Sequence, residues 1–261
     1  MPIPHLYASS YQRRMESGRT RPCLFMCEDE NSELYDYYVV KLKAGIDSLE
    51  TGLSSELIAS QLALFLDIPT PEPAIIRVDP AITEVIGDTE LAAKITESAG
   101  LNFGSKFLTG GFKTWPIGEA IPLSLKQLAC EIFAFDALIQ NPDRKADKPN
   151  ILWKGEELYI IDHETGFSFV YALPSTNKPW QLTQLDFLKK HLFYQNLKGQ
   201  KINLDRFAGA LEALSTQKLD SMISNIPDEW KNANVSKIDE HINEVRNNLN
   251  EFIDEVRRAL Q

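Results

Sequence analysis

The stretch NPDRKADKPNILWKGEELYIIDHETGF, residues 141–167, decides how the rest of the chain is read. Its two apolar runs, NILW and LYII, flank the polar Lys154-Gly155-Glu156-Glu157, which predicts an antiparallel hairpin centred between Gly155 and Glu156. That centre sets Asn150 opposite Ile161 or Asp162. Neighbouring strands lie about 5 Å apart, so Asn150 and Asp162 should meet at the open end of the hairpin. Asp143 stands seven residues before Asn150, on the loop that feeds the same end.

An amide oxygen beside a carboxylate is a hard oxygen pair suited to Mg²⁺. A second acid next to that pair can accept a hydroxyl proton. Phosphoryl transfer asks for this set, because positioning and charge neutralisation supply most of its catalysis. It also asks for a strand lysine to pair with the phosphates and a helix glutamate to hold that lysine. Lys41, in YYVVKLKA, and Glu56, near the start of the following helix, are the candidates. Lys43, two positions on, is the rival for Lys41 because alternate strand residues share a face. Glu56 has a simpler reading as an acid at the positive end of its helix. Asn150 is alternatively a turn residue after Pro149, and Asp143-Arg144 a solvated pair after a helix. Asp162 ends an apolar run where strand propensity disfavours aspartate, which favours a metal-binding role.

Working outward, RPCLFMCED and YDYYVVKLKA predict a second hairpin turned by ENSEL (30–34). LSSELIASQLALFLDI carries Leu57, Ile58, Leu62, Phe65 and Leu66 at helical spacing, with Ser54 as the expected N-cap. AIIRV predicts a short strand and DTELAAKITESAG a weaker helix. GLNFGSKFLTGGFKTWPIGEAIP is rich in Gly and Pro and reads as a link. SLKQLACEIFAFDALIQ predicts a long apolar helix stopping before Asn141-Pro142. From about Leu182 the chain reads as helical. Its last helix aligns Ile238, Ile242, Val245, Leu249, Ile253, Val256 and Leu260 in one stripe, expected to pack on its own lobe, with a homodimer seam as the alternative.

These motifs together resemble the HipA-like kinases, a branch of the protein-kinase-like fold that also includes phosphatidylinositol kinases. MESGRTRP followed by YYVVK is similar to the family's nucleotide-binding lobe. FDALIQNPDR, PNILW and LYIIDHETGF are similar to its catalytic loop and metal-binding segment, and IPDEW to the helical tail of shorter members. The resemblance implies an α+β bilobal fold, with a small β-rich N-lobe over 1–112 and a larger, mostly helical C-lobe over 113–261. It implies ATP and Mg²⁺ between the lobes and transfer to a hydroxyl, expected on a protein serine or threonine. By the same resemblance Asp143 is the catalytic-loop aspartate and Asn150 and Asp162 are the metal ligands. Lys41 is then the phosphate lysine and Glu56 its partner. Ser17, Gly18 and Arg19, followed by Thr20, would form a phosphate-covering turn. The chain departs from the wider pattern in three places. The Asp143–Asn150 spacing is two residues longer than in the D-x-x-x-x-N loop of protein kinases, so the loop must bulge near Lys148-Pro149. Lys145 replaces an expected histidine, and its cation could reach the γ-phosphate. Asp162 is followed by His163-Glu164-Thr165-Gly166, so the glycine comes late.

Composition bounds the remainder. The net charge of −10 argues against a direct nucleic-acid partner. No window is apolar for about 18 residues, so no membrane span is expected. Three cysteines, Cys23, Cys27 and Cys130, without a pairing pattern fit a reducing, cytoplasmic setting. Two alternatives from other classes stand beside a protein kinase. One is a weakly catalytic pseudokinase or nucleotide-sensing module, motivated by the altered loop spacing. The other is a small-molecule kinase.

Overall fold

The computed structural model describes residues 2–15, 21–29, 35–46, 49–172 and 177–261. It is strand-rich in its N-terminal part and helical in its C-terminal part, an α+β chain. Among the described residues, the N-terminal strands close into a five-stranded barrel. β1 (His5–Arg14), β2 (Cys23–Glu28) and β3 (Tyr35–Lys41) form an antiparallel meander. β5 (Gly100–Lys106) joins β3 to β4 (Pro73–Val78), and a parallel β4–β1 pairing closes the ring.

Side-chain alternation fills the barrel. Cys23, Phe25 and Cys27 of β2 point inward with Tyr38 and Val40 of β3 and Ala74 and Ile76 of β4. Leu91 and Ile95 of α2 (Thr89–Glu97), whose N-terminus Asp88 caps, pack against this interior. All three cysteines are buried free thiols. Since Val40 faces inward, its neighbours Val39 and Lys41 face the cavity on the other side.

Three expectations need correction here. Gly100–Lys106 is no link but a full barrel strand. The lack of a side chain at Gly104 is what fits it there, since a Cβ would stand 2.5 Å from Ile76 Cγ1. Ser54 is not an N-cap. Its helix, α1 (Leu49–Phe65), begins earlier, and the Ser54 hydroxyl donates to the carbonyl of Trp230 at 2.9 Å. The chain's last helix is two helices, α7 (Ala233–Asn247) and α8 (Leu249–Ala259), broken at Asn248, whose φ of −121° and ψ of 40° leave the helical region. The ENSEL turn lies outside the described residues.

Every residue of α1 from Thr51 to Ala63 is buried. Leu53, Leu57, Ile58, Leu62 and Leu66 join one core with Ile75 and Phe103 of the sheet and with α3 (Lys126–Leu138). α3 supplies Ile132, Phe133, Phe135 and Leu138 to that core. α4 (Tyr194–Leu197), α5 (Asp205–Glu212), α6 (Thr216–Ser224), α7 and α8 surround it. The apolar stripe of the C-terminal helices is spent on this core. Ile238, Ile242, Val245, Ile253, Val256 and Leu260 are buried in it, and Leu249 packs against it.

The hairpin read from the sequence is present. β7 (Ile151–Lys154) and β8 (Glu157–Ile160) pair from Ile151↔Ile160 to Lys154↔Glu157, with Gly155 left-handed in the turn. The sequence did not reveal that β6 (Lys113–Thr114) adds a third strand to its edge. Among the described residues, no helix is long and apolar enough to cross a membrane.

Candidate active site

The open end of the β7–β8 hairpin is the structural centre of the site. The Ile161 N–H donates to the Asn150 carbonyl at 3.0 Å, which extends the ladder by one step. Beyond it the backbone turns abruptly. Asn150 has φ +48° and Asp162 φ +61°, left-handed values that Asn and Asp tolerate better than most residues. Left-handed backbone at paired polar residues is held only where its surroundings fix it.

Arg144 does the fixing. Its side chain is fully buried, and its guanidinium donates to the carbonyls of Asn150 and, at 3.3 Å, Ile161. Arg144 Nε and Nη2 also donate to the two carboxylate oxygens of Asp136, at 2.6 and 3.3 Å. Asp136 further accepts from His191 Nε2 at 2.9 Å and Asn141 Nδ2 at 2.9 Å. His191 Nδ1 accepts from the Phe193 N–H, which assigns the ring proton to Nε2. Burial alone would raise the Asp136 pKa, but Arg144 and His191 hold its carboxyl well below the usual range. One buried carboxylate on α3 thus ties together the loop 141–144, the hairpin mouth and residue 191.

Asn141 continues the network. Its Oδ1 accepts from the Asp143 N–H at 3.1 Å and the Thr165 hydroxyl at 3.2 Å. That fixes Asp143 relative to the segment after Asp162. The extra length of the loop is taken up by a turn. Lys145 N–H donates to the Lys148 carbonyl at 3.0 Å, and Lys148 N–H donates back to Lys145 at 3.1 Å. Asn150 is thereby returned to the mouth, where its Nδ2 donates to Asp143 Oδ2 at 3.4 Å. The Lys148 ammonium donates to Asp143 Oδ2 and stands 3.4 Å from Asp162 Oδ2. Lys145 is more peripheral, with its Nζ 3.9 Å from Asp143 Oδ1.

From β3, Lys41 Nζ donates to Glu56 Oε1 and to Asp162 Oδ1, and stands 3.7 Å from Glu164 Oε2. Burial works against the Lys41 ammonium, but Glu56, Asp162 and Glu164 outweigh it and raise its pKa. For Asp162 burial acts upward, yet Lys41 and then Lys148 hold it well below the ordinary carboxylate range. Burial pushes Glu56 up, against the pull of Lys41. His163, in the interior beside Arg144, is pushed down to about 3 by burial and then by that guanidinium, so the ring is neutral. Carboxylate atoms of Glu56, Asp162 and Glu164 lie within 4.8 Å of one another.

Lys41, Glu56, Lys148, Asn150, Asp162 and His163 border a cavity of about 690 Å³, large enough for a nucleotide-sized ligand. Val39, Phe103, Ile151 and Ile161 are among its apolar walls, and Lys41, Lys148, Asn150 and Asp162 are among its polar ones. Lys43 lies apart. β3 ends at Lys41, Lys43 opens a 3₁₀ turn, and its backbone N–H donates to Asn102 Oδ1 at 2.8 Å. Ser17, Gly18, Arg19 and Thr20 lie outside the described residues. The structure therefore brings Lys41, Glu56, Asp143, Asn150 and Asp162 together, with Lys145 at the edge. Sequence reasoning missed Asp136, His191, Lys148 and Glu164. Asp136 did carry a signal: a lone acid inside EIFAFDALIQ must find a partner once that helix is buried.

A family model described as HipA-like kinase matches residues 9–257. The chain belongs to the HipA-like kinase family. A crystal structure of the Helicobacter pylori proinflammatory kinase CtkA has a similar fold, with a TM-score of 0.55 at 15% identity, covering 99% of this chain and 98% of its own. No curated protein matches the sequence. The family supports a kinase function for this HipA-like chain and implies use of ATP with a divalent metal.

Proposed function

We propose that this HipA-like kinase transfers the γ-phosphoryl group of ATP, with Mg²⁺, to a serine or threonine hydroxyl of a protein. The observation that carries the reading is the convergence of Asp143, Asn150 and Asp162 at one mouth of the hairpin, where Lys41, held by Glu56, meets Asp162. The division into an N-lobe up to about residue 112 and a C-lobe from 113 is part of this proposal, with ATP between them.

The donors fit the metal. Asn150 Oδ1 and the Asp162 carboxylate are hard oxygens, and Lys41 and Lys148 hold Asp162 ionised across neutral pH. Bound Mg²⁺ would neutralise phosphate charge. Lys41 pairs with the phosphates, and Glu56, buried in α1, fixes where its ammonium can reach. Asp143, held by Asn141 through its own N–H, orients the acceptor hydroxyl and takes its proton. Arg144 and Asp136 position the loop without touching substrate.

The test is incubation with γ-labelled ATP and Mg²⁺ in cell lysate, with mass spectrometry of the phosphosites. Wild type should transfer label to serine or threonine, and Asp143→Ala should lower the rate by about 10²-fold or more. Nucleotide binding without turnover would instead assign a nucleotide-sensing module. Label found only on small molecules would move the acceptor class.

A further inference from the structure

The longer catalytic loop places a second lysine where the reading above has no role for one. The reciprocal backbone bonds between Lys145 and Lys148 close a turn, and Pro149, with its fixed φ, follows at once. The result is that Lys148, not Lys145, belongs to the cavity wall among the described residues. Its ammonium bridges Asp143 Oδ2 and Asp162 Oδ2, the two acids between which the transferred group must pass. It is half-buried, with 37% of the side chain exposed, so a ligand can still approach it.

We propose that Lys148 is the cation that grips the phosphoryl group in flight, in place of Lys145; this rests on the kinase reading. An ammonium has three donors, so Lys148 can keep its contact with Asp143 while donating to a terminal phosphate oxygen. Position favours it over Lys145, whose Nζ stands 3.9 Å from Asp143 Oδ1 and which does not line the cavity. In the step itself the acceptor oxygen bonds to the γ-phosphorus. The bond from that phosphorus to the β-phosphate oxygen breaks, and its electron pair leaves with ADP. The hydroxyl proton goes to Asp143. Lys148 remains protonated throughout and offsets charge on the γ-oxygens. Without ligand, the same ammonium offsets the mutual repulsion of Asp143 and Asp162, which explains why a lysine is tolerated at the mouth.

Calorimetric binding of a non-hydrolysable ATP analogue and of ADP, each with Mg²⁺, tests this on the full chain. For Lys148→Met, the expected result is about tenfold weaker binding of the ATP analogue with ADP changed by less than about twofold, because only the γ-phosphate contact is lost. Lys148→Gln should show the same selective loss, so one variant's misfolding leaves the question decidable. Lys145→Met should show a smaller shift in the ATP-to-ADP ratio. Equal loss of both nucleotides, no loss of either, or a larger shift at Lys145 overturns the proposal. Wild type that binds neither nucleotide overturns the kinase reading beneath it instead.

Discussion

Asp136 and Arg144 form an ion pair with both side chains fully buried, Nε to Oδ2 at 2.6 Å. Neither group has water to fall back on, and each has further partners that the pair keeps in place. Removing one partner leaves an uncompensated charge in the interior, which typically costs about 3–5 kcal/mol. Asp136→Ala and Arg144→Met should therefore both lower the denaturation midpoint strongly. A double-mutant cycle should show the two losses far from additive. Additive losses in chemical denaturation would mean that the pair does not act as one unit.

The Lys41–Glu56 contact makes a graded prediction. Lys41→Met removes the charge proposed to pair with the phosphates and should lower kcat/KM on the order of 10²-fold. Glu56→Gln leaves the lysine but loosens it, so a loss of about tenfold is expected, shared between KM for ATP and kcat. Steady-state kinetics with varied ATP check the order. Glu56→Gln as damaging as Lys41→Met would give Glu56 a direct role beyond holding the lysine. Lys43→Met, two residues beyond and outside the site, should change kcat/KM by no more than about twofold.

Much of this site was legible because it sits on local structure. The hairpin register follows from two apolar runs and one turn, and it set Asn150 opposite Ile161 or Asp162 with no knowledge of the fold; Ile161 is the partner. Lys41 was read from a strand pattern, and the alternation that points Val40 inward is the reason it faces the cavity. What escaped was non-local. Arg144 drew no role of its own beyond the alternative of a solvated pair with Asp143, because nothing in the sequence says that residue 136 faces it from α3 or residue 191 lies beyond. Lys148 was seen only as part of a bulge, since a turn closed by backbone bonds leaves no residue signature. Ser54 was misplaced because an apolar helix that is buried all round gives no periodic edge from which to judge its start.

Gly104 illustrates the same limit and gives a prediction of opposite sign at two glycines. The run GLNFGSK resembled a linker because glycine is poor in strands. In the barrel, β5 passes so close to β4 that a Cβ at 104 would meet Ile76. Gly104→Ala should destabilise by about 1–3 kcal/mol through overpacking. Gly209, exposed inside α5, has nothing within 4 Å of an added Cβ. Gly209→Ala should stabilise by about 0.5–1 kcal/mol, the helix preference for alanine. Thermal or urea melts of the two variants read both signs. A neutral Gly104→Ala would show that the two strands are less tightly apposed.

His241 predicts how stability responds to acid. The ring lies on α7, buried, stacked on Phe169 with 4.2 Å between ring centroids, and its Nε2 donates to the Leu138 carbonyl at 2.7 Å. Burial pushes its pKa down to about 4, with the Leu138 bond pulling weakly the other way. The fold therefore holds His241 neutral, while the unfolded chain protonates it below about 6.5. Between those values the unfolded state binds the extra proton, so stability rises with pH and is lost as pH falls from about 6.5 toward 4. The loss attributable to this one ring is about 1.4 kcal/mol per pH unit inside that window. His241→Gln can keep a donor for Leu138 but cannot titrate, so its stability should depend less on pH by that slope. Urea unfolding of both proteins at pH 7, 6 and 5 tests it. The wild-type advantage should shrink step by step, and parallel lines would mean that His241 carries no share of the acid sensitivity.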